Sequence, residues 1–173
     1  RADSWSRRIG LRTLRAFQQT KDAPLRLEAN GIPFFSKGGN VIPLDAFATR
    51  VTGDMLRRMV DDAVAANMNT LRFWGGGYYE DDALFDLCDE RGLCIWEDFK
   101  FACSTYPAFD DSFLKPVELE ARDQVRRLRH HPSIAVWCGN NEMEWGWAER
   151  GWNTPDLQDL KEAYDRFFHH TLP

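Results

Sequence analysis

The sequence feature that most constrains the fold is a repeated alternation of short apolar runs with amphipathic segments, which begins near residue 36. Short apolar runs predict strands, and apolar residues spaced three and four apart predict helices. Four such strand–helix units in succession predict parallel strands joined by right-handed crossovers. The predicted strands cover residues 34–42, 70–74, 93–96 and 134–138.

Residues that favour helix ends mark the segments between these strands. Thr52 is suited to cap the first helix, and Gly92 is suited to end the second. Thr154 followed by Pro155 predicts the start of a last helix, because proline is favoured at the first helical position. The predicted helices cover residues 53–67, 82–91, 116–129 and a segment that follows Pro155.

These units predict an α/β fold, for which two architectures are considered: a β/α barrel and a doubly wound sheet. A closed barrel has eight strand–helix units and about 250 residues. With 173 residues and four units, the chain is predicted to form the first half of a (β/α)8 TIM barrel. The alternative, a doubly wound sheet that binds a dinucleotide, is not favoured. The glycines at 75–77 lack the Gly-x-Gly-x-x-Gly spacing of that fold, and no helix begins directly after them.

The first 36 residues have the pattern of a short β segment that precedes the barrel. Ile9, Leu11 and Thr13 alternate with polar residues or glycine, which predicts a half-buried strand. A second alternating run at 25–29 is followed by Asn30-Gly31, a dipeptide typical of hairpin turns. The polar stretch at 18–24 is interpreted as a linker, so a domain boundary is predicted near residue 20.

Composition and residue spacing exclude several kinds of partner and site. The net charge of −5 argues against nucleic acid, and no run of about 18 apolar residues is present to span a membrane. The four cysteines and four histidines show no metal-ligand spacing, so neither a metal nor a cofactor is predicted. Seven tryptophans favour a sugar as ligand, since the C–H faces of a sugar stack on indole rings.

Polar or aromatic side chains lie at or just after the ends of all four predicted strands, where the strands of a β/α barrel carry the active site. A Glu at a buried strand end can donate a proton while a neighbouring amide holds a sugar hydroxyl. Each residue also has a structural alternative: Arg72 pairs with a carboxylate, Asp98 caps a loop, Trp74 belongs to the core, or residues 140–142 cap a helix. The strand-end residues are Asn40, Asp45, Arg72, Trp74, Asp98, Asn141 and Glu142.

Several of these segments together resemble one enzyme family. The sequences at 37–45, 69–77, 79–81, 96–99, 101–103 and 129–142 are similar to those of a β-mannosidase of glycoside hydrolase family 2, and the similarity covers roughly residues 5–173. The glycine triplet after Trp74 and the Cys-Gly-Asn-Asn-Glu sequence ending at Glu142 separate mannosidases from galactosidase and glucuronidase relatives. Val41 departs from the pattern, because the family usually has Trp after Asn40.

The resemblance implies a retaining, exo-acting hydrolase that removes terminal β-mannose. It implies that Glu142 is the general acid/base, that Asn141 holds the sugar 2-hydroxyl and that the nucleophile lies beyond residue 173. It further implies a domain division, with residues 1–20 as the last strand of an immunoglobulin-like domain and 21–173 as half of the barrel. The expected partners are a β-mannoside substrate and the rest of the barrel or a second copy. The cellular compartment stays open.

The substrate and the catalytic role have two alternatives. One is a β-galactosidase or β-glucuronidase of the same family. The other is a non-catalytic sugar-binding or structural segment. Trp74, and at least one of Trp145, Trp147 and Trp152, are expected to line a sugar subsite. The remaining residues expected to bind substrate are Asn141, Asp98, Arg72, Asn40 and Asp45.

Overall fold

The computed structural model describes residues 3, 4, 6 and 8–172, which contain two sheets and five α-helices. The architecture is mixed α/β, with helices packed on one face of a parallel sheet and a small antiparallel sheet before it. Residues 1, 2, 5 and 7 of the predicted first domain lie outside the described residues. No helix in the described part of the chain has the length and apolarity needed to cross a membrane.

The antiparallel sheet consists of β1 (Leu14–Phe17), β2 (Arg26–Ala29) and β3 (Ile32–Phe34), in that order. Asn30 and Gly31 join β2 to β3 with φ angles of 52° and 79°, so the predicted hairpin is confirmed. The predicted strand at residues 9–13 is wrong, because these residues are exposed and form no strand. Strand β1 pairs with β2 across residue 20, and the domain boundary there stays a prediction.

The parallel sheet consists of four strands whose spatial order follows the chain. They are β4 (Gly38–Val41), β5 (Thr70–Phe73), β6 (Cys94–Asp98) and β7 (Ile134–Cys138). The parallel pairing predicted from the strand–helix repeat is confirmed. Strand β4 is shorter than predicted, since residue 34 belongs to the hairpin. At Gly38, an added Cβ would lie 1.7 Å from the Thr70 carbonyl oxygen, so only glycine allows this close pairing.

Five α-helices in the described residues follow or connect these strands. The second begins and ends where the sequence predicts, and the first begins at the predicted residue 53 but ends at Ala65 rather than at 67. The Thr52 hydroxyl accepts a hydrogen bond from the Met55 N–H at the start of the first helix. Gly92 ends the second helix in the left-handed conformation, with φ 70°. The helices are α1 (Gly53–Ala65), α2 (Asp82–Arg91), α3 (Asp111–Leu128), α4 (Met143–Glu149) and α5 (Gln158–Arg166), and a 3-10 turn at Pro155–Leu157 precedes α5.

Two other helices differ more strongly from the sequence prediction. Helix α3 begins at Asp111 rather than at residue 116, because the Asp110 carboxylate accepts from the Ser112 N–H and caps the helix there. Pro116 therefore lies inside the helix. The residues that follow Glu142 form α4, although the sequence predicts no helix there. Gly146 in the middle of α4 allows close packing of Trp152, whose ring would lie 2.4 Å from an added Cβ.

The core lies between the parallel sheet and its helices. One apolar cluster joins α1 and α2 to the outer face of the sheet, and it includes Leu71, Phe73 and Ile95. A second cluster lies around Phe101, Met143 and Trp147 and extends to α5. Because side chains alternate along a strand, Arg72 faces away from the helices, between Leu71 and Phe73. The opposite face of the sheet therefore carries the polar strand-end residues.

Candidate active site

Three of the predicted strand-end residues meet in one hydrogen-bonded cluster at the carboxyl ends of β5, β6 and β7. Arg72 extends from β5 and binds the Asp98 carboxylate with two nitrogens, Nε to Oδ1 at 3.1 Å and Nη2 to Oδ2 at 2.6 Å. The same Nη2 donates to Asn141 Oδ1 at 2.9 Å. The predicted side chains thus come together because parallel strands end at the same edge of the sheet.

Asp98 is fully buried and accepts hydrogen bonds from three residues. Besides the two from Arg72, its oxygens accept from Trp96 Nε1 at 3.1 Å and from the Gly75 N–H at 3.1 Å. A buried carboxylate requires this number of donors, since desolvation without partners costs several kcal/mol. Gly75 can approach so closely because it has no side chain, and an added Cβ would lie 2.3 Å from the Phe101 carbonyl oxygen.

The backbone around Asn141 is fixed by the loop that follows β6. The Asn141 N–H donates to the Phe101 carbonyl, and the Asn141 carbonyl accepts from the Cys103 N–H. The Asn141 side chain is buried, and its Nδ2 lies 3.2 Å from Cys103 Sγ. Cys103 adopts a positive φ of 54°, which is uncommon for a residue with a side chain. Strained backbone of this kind is typical of functional sites.

Glu142 is next to this cluster and is more exposed than the neighbouring Asn141. It also has a positive φ, 62°, at the turn between β7 and α4. The Cys103 thiol donates to Glu142 Oε2 at 3.7 Å, and Arg150 Nη2 lies 3.4 Å from the same oxygen. Glu142 makes no capping hydrogen bond to α4, whereas Asn140 Oδ1 accepts from the Met143 N–H. The helix-capping role therefore belongs to Asn140, and the exposed Glu142 carboxylate takes no part in capping.

Asn40 adjoins the cluster from β4, and Trp74 directly follows β5. Asn40 Oδ1 accepts from Arg72 Nη1 at 3.3 Å, which links β4 to the cluster. The Trp74 ring is half-buried and lies against Gly76, where an added Cβ would be 2.0 Å from the ring. Gly76 therefore allows the observed position of the indole.

Asp45 makes contacts separate from those of the other predicted site residues. Its Oδ1 accepts from Arg50 Nη2 at 2.6 Å and from the Phe47 N–H at 2.8 Å. The hydrogen bond from Arg50 and the one from the backbone lower the pKa of Asp45. Each predicted role in substrate binding stays a prediction, and the geometry brings Arg72, Asp98, Asn141 and Asn40 together without Asp45.

Two residues near Glu142 are not identified by sequence reasoning. Cys103 connects Asn141 with Glu142, and its only sequence signal is the segment 101–103 quoted for the family resemblance. Arg150 pairs with Glu142 and lies 3.8 Å from the centre of the Trp145 ring. Of the three late tryptophans, Trp147 is buried in the core and Trp145 is exposed beside this pair.

One cluster has the residue types of a metal site. Asp86, Asp89 and His131 bring their ligand atoms within 4.8 Å of one another near the amino end of β7. His131 Nδ1, however, lies 2.7 Å from Asp89 Oδ2, and the other Asp89 oxygen accepts from the Ser133 N–H. His131 Nδ1 is therefore occupied by a hydrogen bond that joins α2 to the segment before β7.

Comparisons with known proteins agree with the family resemblance. No family model matches the chain. The chain is 56% identical to the β-mannosidase of Capra hircus over 115 residues, which is 66% of this chain and 13% of that protein. It is 47% identical to the β-mannosidase of Mus musculus over 138 residues, 80% of this chain and 16% of that protein. The chain thus spans less than a fifth of the length of these relatives.

A solved structure shows the same fold. The β-D-mannosidase of Dictyoglomus thermophilum superimposes with a TM-score of 0.83 and 39% sequence identity. The superposition covers 94% of this chain and 20% of that protein. The similarity therefore extends over nearly the whole of this chain.

Proposed function

Because this chain is related to the β-mannosidases of glycoside hydrolase family 2 over most of its length, we propose that it forms part of the catalytic domain of a retaining exo-β-mannosidase. The observation that carries the proposal is the cluster of Arg72, Asp98 and Asn141 beside Glu142. It combines a carboxylate free of helix capping with an amide whose orientation is fixed.

The proposed roles follow the chemistry of retaining hydrolysis. A carboxylate nucleophile attacks the anomeric carbon, and Glu142 gives its proton to the leaving oxygen, so the glycosidic bond breaks and a glycosyl-enzyme ester forms. Glu142 then takes a proton from the water that hydrolyses the ester. Asn141 binds the sugar 2-hydroxyl, with Trp74 and Asn40 at the edge of the subsite. Such proton donation contributes roughly 10²–10⁴-fold to the rate.

The second carboxylate is proposed to lie outside this chain. In retaining enzymes the two carboxyl groups are about 5–5.5 Å apart. Asp98 is a poor nucleophile because its oxygens accept four hydrogen bonds from Arg72, Trp96 and Gly75. Glu97 alternates with Asp98 along β6 and therefore faces the helices. The nucleophile is accordingly assigned to a later strand of the same catalytic domain.

We further propose that the parallel sheet is half of a (β/α)8 barrel that follows an immunoglobulin-like domain. Each strand pairs with the next one along the chain, β4-β5-β6-β7, as in a barrel. A doubly wound sheet would instead reverse its strand order at a switch point. The strand order supports the barrel, and residues 1–20 and 21–173 are proposed as parts of the two domains.

Hydrolysis of a panel of aryl glycosides by the full-length protein tests the proposed substrate. Nitrophenyl β-mannoside, β-galactoside and β-glucuronide differ in the hydroxyl or carboxylate groups that the site must bind. A site built to bind one pattern of hydroxyls rejects others strongly, so we expect kcat/KM for the mannoside to be higher by at least about 100-fold. A preference for either of the other sugars would contradict the proposed substrate. Sugar binding without hydrolysis would instead indicate a non-catalytic role.

A further inference from the structure

We propose that Asp98 and Arg72 are positioning residues, which fix the Asn141 amide so that its NH2 group, rather than its oxygen, is presented to the sugar. This inference rests on the proposed function, since it concerns the same site. It assigns Asp98 a role in which the carboxylate never touches the substrate. It also identifies the chemical property, a hydrogen-bond donor, by which the site recognises the hydroxyl at carbon 2.

The first step is that Asp98 has no free acceptor capacity. A carboxylate offers about four lone-pair sites. Oδ1 accepts from Arg72 Nε and Trp96 Nε1, and Oδ2 accepts from Arg72 Nη2 and the Gly75 N–H. The side chain is also fully buried. A sugar hydroxyl would have to displace one of these donors, so Asp98 acts on the substrate through Arg72.

The second step is that Arg72 determines which end of the Asn141 amide faces the cluster. A guanidinium group has only donors, so the atom that lies 2.9 Å from Nη2 has to be the amide oxygen. The opposite orientation would place two donors against each other. Arg72 is in turn held by its two hydrogen bonds to Asp98, a bidentate pair with fixed geometry.

The third step is that the amide nitrogen points toward the acid. Asn141 Nδ2 lies 3.2 Å from Cys103 Sγ, and that sulfur lies 3.7 Å from Glu142 Oε2. The backbone of Asn141 is held on both sides by the loop at 101–103. Its side chain is buried and bonded at both ends of the amide, to Arg72 and to Cys103, so it has little freedom to turn. One amide hydrogen faces Cys103, and the other is available to donate to a sugar hydroxyl oxygen.

The test compares an aryl β-mannoside with its 2-deoxy analogue in the full-length protein. The measured quantity is the ratio of kcat/KM for the two substrates, since a purely structural defect lowers both values equally. Hydrogen bonds to the 2-hydroxyl strengthen in the transition state. We therefore expect Asp98→Asn and Arg72→Lys to lower this ratio by at least about tenfold, close to the ratio of Asn141→Ala. Arg72→Lys keeps a cation beside the buried Asp98 but replaces the planar fork, which binds both Asp98 oxygens and Asn141 Oδ1 at once, by a single ammonium group. It therefore tests the inference even where Asp98→Asn fails to fold.

Two further variants make the test specific. Asn141→Asp keeps an oxygen for Arg72 and replaces the NH2 group by a second oxygen, so the ratio should fall to that of Asn141→Ala. Asp61→Asn is the matched control, because it removes a carboxylate that pairs with Arg91 on the protein surface. It should leave the ratio unchanged. An unchanged ratio in Asp98→Asn and Arg72→Lys, or in Asn141→Asp, would overturn the inference.

The failure of the proposed substrate is distinguishable from the failure of this inference. Where the full-length protein prefers another β-glycoside, the same ratio is measured with that sugar and its 2-deoxy analogue. The expected fall in the ratio then supports the inference although the sugar assignment is wrong. Hydrolysis of no glycoside would overturn both.

Discussion

Glu97 is a buried carboxylate whose environment opposes its ionisation. It is fully buried on β6, and its partner Lys100 donates to Oε1 at 2.8 Å. Burial raises the pKa of Glu97 from 4.5 to about 7, although Lys100 favours the charged form. The loss of hydration therefore outweighs the ion pair. Glu80, buried nearby, has its pKa raised for the same reason.

The first prediction is that this carboxylate makes stability fall as pH rises. Between pH 4.5 and about 7 the folded protein keeps a proton on Glu97 that the unfolded chain has released. The contribution of Glu97 to the free energy of unfolding is therefore complete below pH 4.5. It decreases by on the order of 3 kcal/mol as the pH rises from 4.5 to about 7. Glu97→Gln should remove most of this decrease, as measured by denaturation midpoints of the full-length protein between pH 5 and 8.

The exposed Glu162 provides the control for this experiment. Glu162→Gln should leave the pH dependence of the midpoint as it is in the unchanged protein. A Glu97→Gln variant with the same slope as the unchanged protein would contradict the assignment of the pH dependence to Glu97. Part of the slope is expected to persist in the Gln variant because of Glu80.

The second prediction concerns the Trp74 ring. A methyl group at Gly76 would lie 2.0 Å from the ring, so Gly76→Ala has to displace the indole. Since Gly76 is exposed, the variant is expected to remain folded while kcat/KM for the mannoside falls at least about tenfold. Gly53→Ala is the control, because an added Cβ there meets no atom within 4 Å. Unchanged activity in a folded Gly76→Ala variant would show that the ring position is unimportant for the substrate.

Those residues of the site that lie at or near strand ends could be predicted from the sequence. Arg72, Asp98 and Asn141 meet because parallel strands end at one edge of a sheet, which a sequence pattern can indicate. Cys103 and Arg150 reach Glu142 from loop and helix-end positions. The spacing of apolar residues does not indicate which loops and helix ends contact the site. Sequence reasoning therefore could not place Cys103 and Arg150 beside Glu142.

At the scale of elements, helix ends with strong local signals were predictable. Helix α2 has the predicted bounds, because Asp81 caps it and Gly92 ends it. The strand predicted at 9–13 was wrong, since alternation of apolar residues with arginine also occurs in an exposed extended chain. Helix α4 was missed because Gly146 lowers helix propensity, and it is tolerated there for the packing of Trp152.

The third prediction tests how α2 is joined to β7. Asp89 on α2 accepts from His131 Nδ1 and from the Ser133 N–H, and both partners are buried. Asp89→Ala leaves two buried groups without their acceptor, so we expect a loss of roughly 2–4 kcal/mol in stability. Asp86→Ala is the matched control on the same helix, because Asp86 is exposed and lies 3.9 Å from His131. Its expected cost is within about 0.5 kcal/mol.

Denaturation midpoints of the two variants are measured with and without a chelator. They decide whether Asp89 and His131 form a hydrogen-bonded contact between α2 and β7 or a metal site. A hydrogen-bonded contact predicts a large loss of stability for Asp89→Ala alone and no effect of the chelator. Equal losses for both variants, together with destabilisation by the chelator, would contradict it and indicate a bound cation.

At the scale of the whole molecule, the parallel sheet has two open edges in the described structure. Strands β4 and β7 each pair with one neighbour within that sheet. A groove beside β4 and α1 is lined by apolar side chains, among them Val41, Leu44 and Met59. Ile42 nearby is 64% exposed. Open strand edges flanked by apolar side chains favour pairing with another chain.

The fourth prediction is that residues 1–173, expressed alone, are insoluble or self-associated and do not hydrolyse mannosides. A few hundred Å² of apolar surface left in water costs on the order of 10 kcal/mol, which is comparable with the stability of a whole domain. Light scattering measures the mass directly. A monodisperse monomer of about 20 kDa with a cooperative melt would show that the open edges are tolerated.

The measurement that tests the central claim most directly is the effect of Glu142→Ala on substrates with different leaving groups. When only the acid/base is lost, a good leaving group departs without a proton, and the glycosyl-enzyme still forms. We expect kcat/KM of the full-length protein to fall by roughly 10²–10⁴-fold for mannosides with poor leaving groups and far less for activated aryl mannosides. Added azide should restore turnover and yield β-mannosyl azide. Equal losses on both kinds of substrate, without azide rescue, would contradict the assignment of Glu142 as the acid/base.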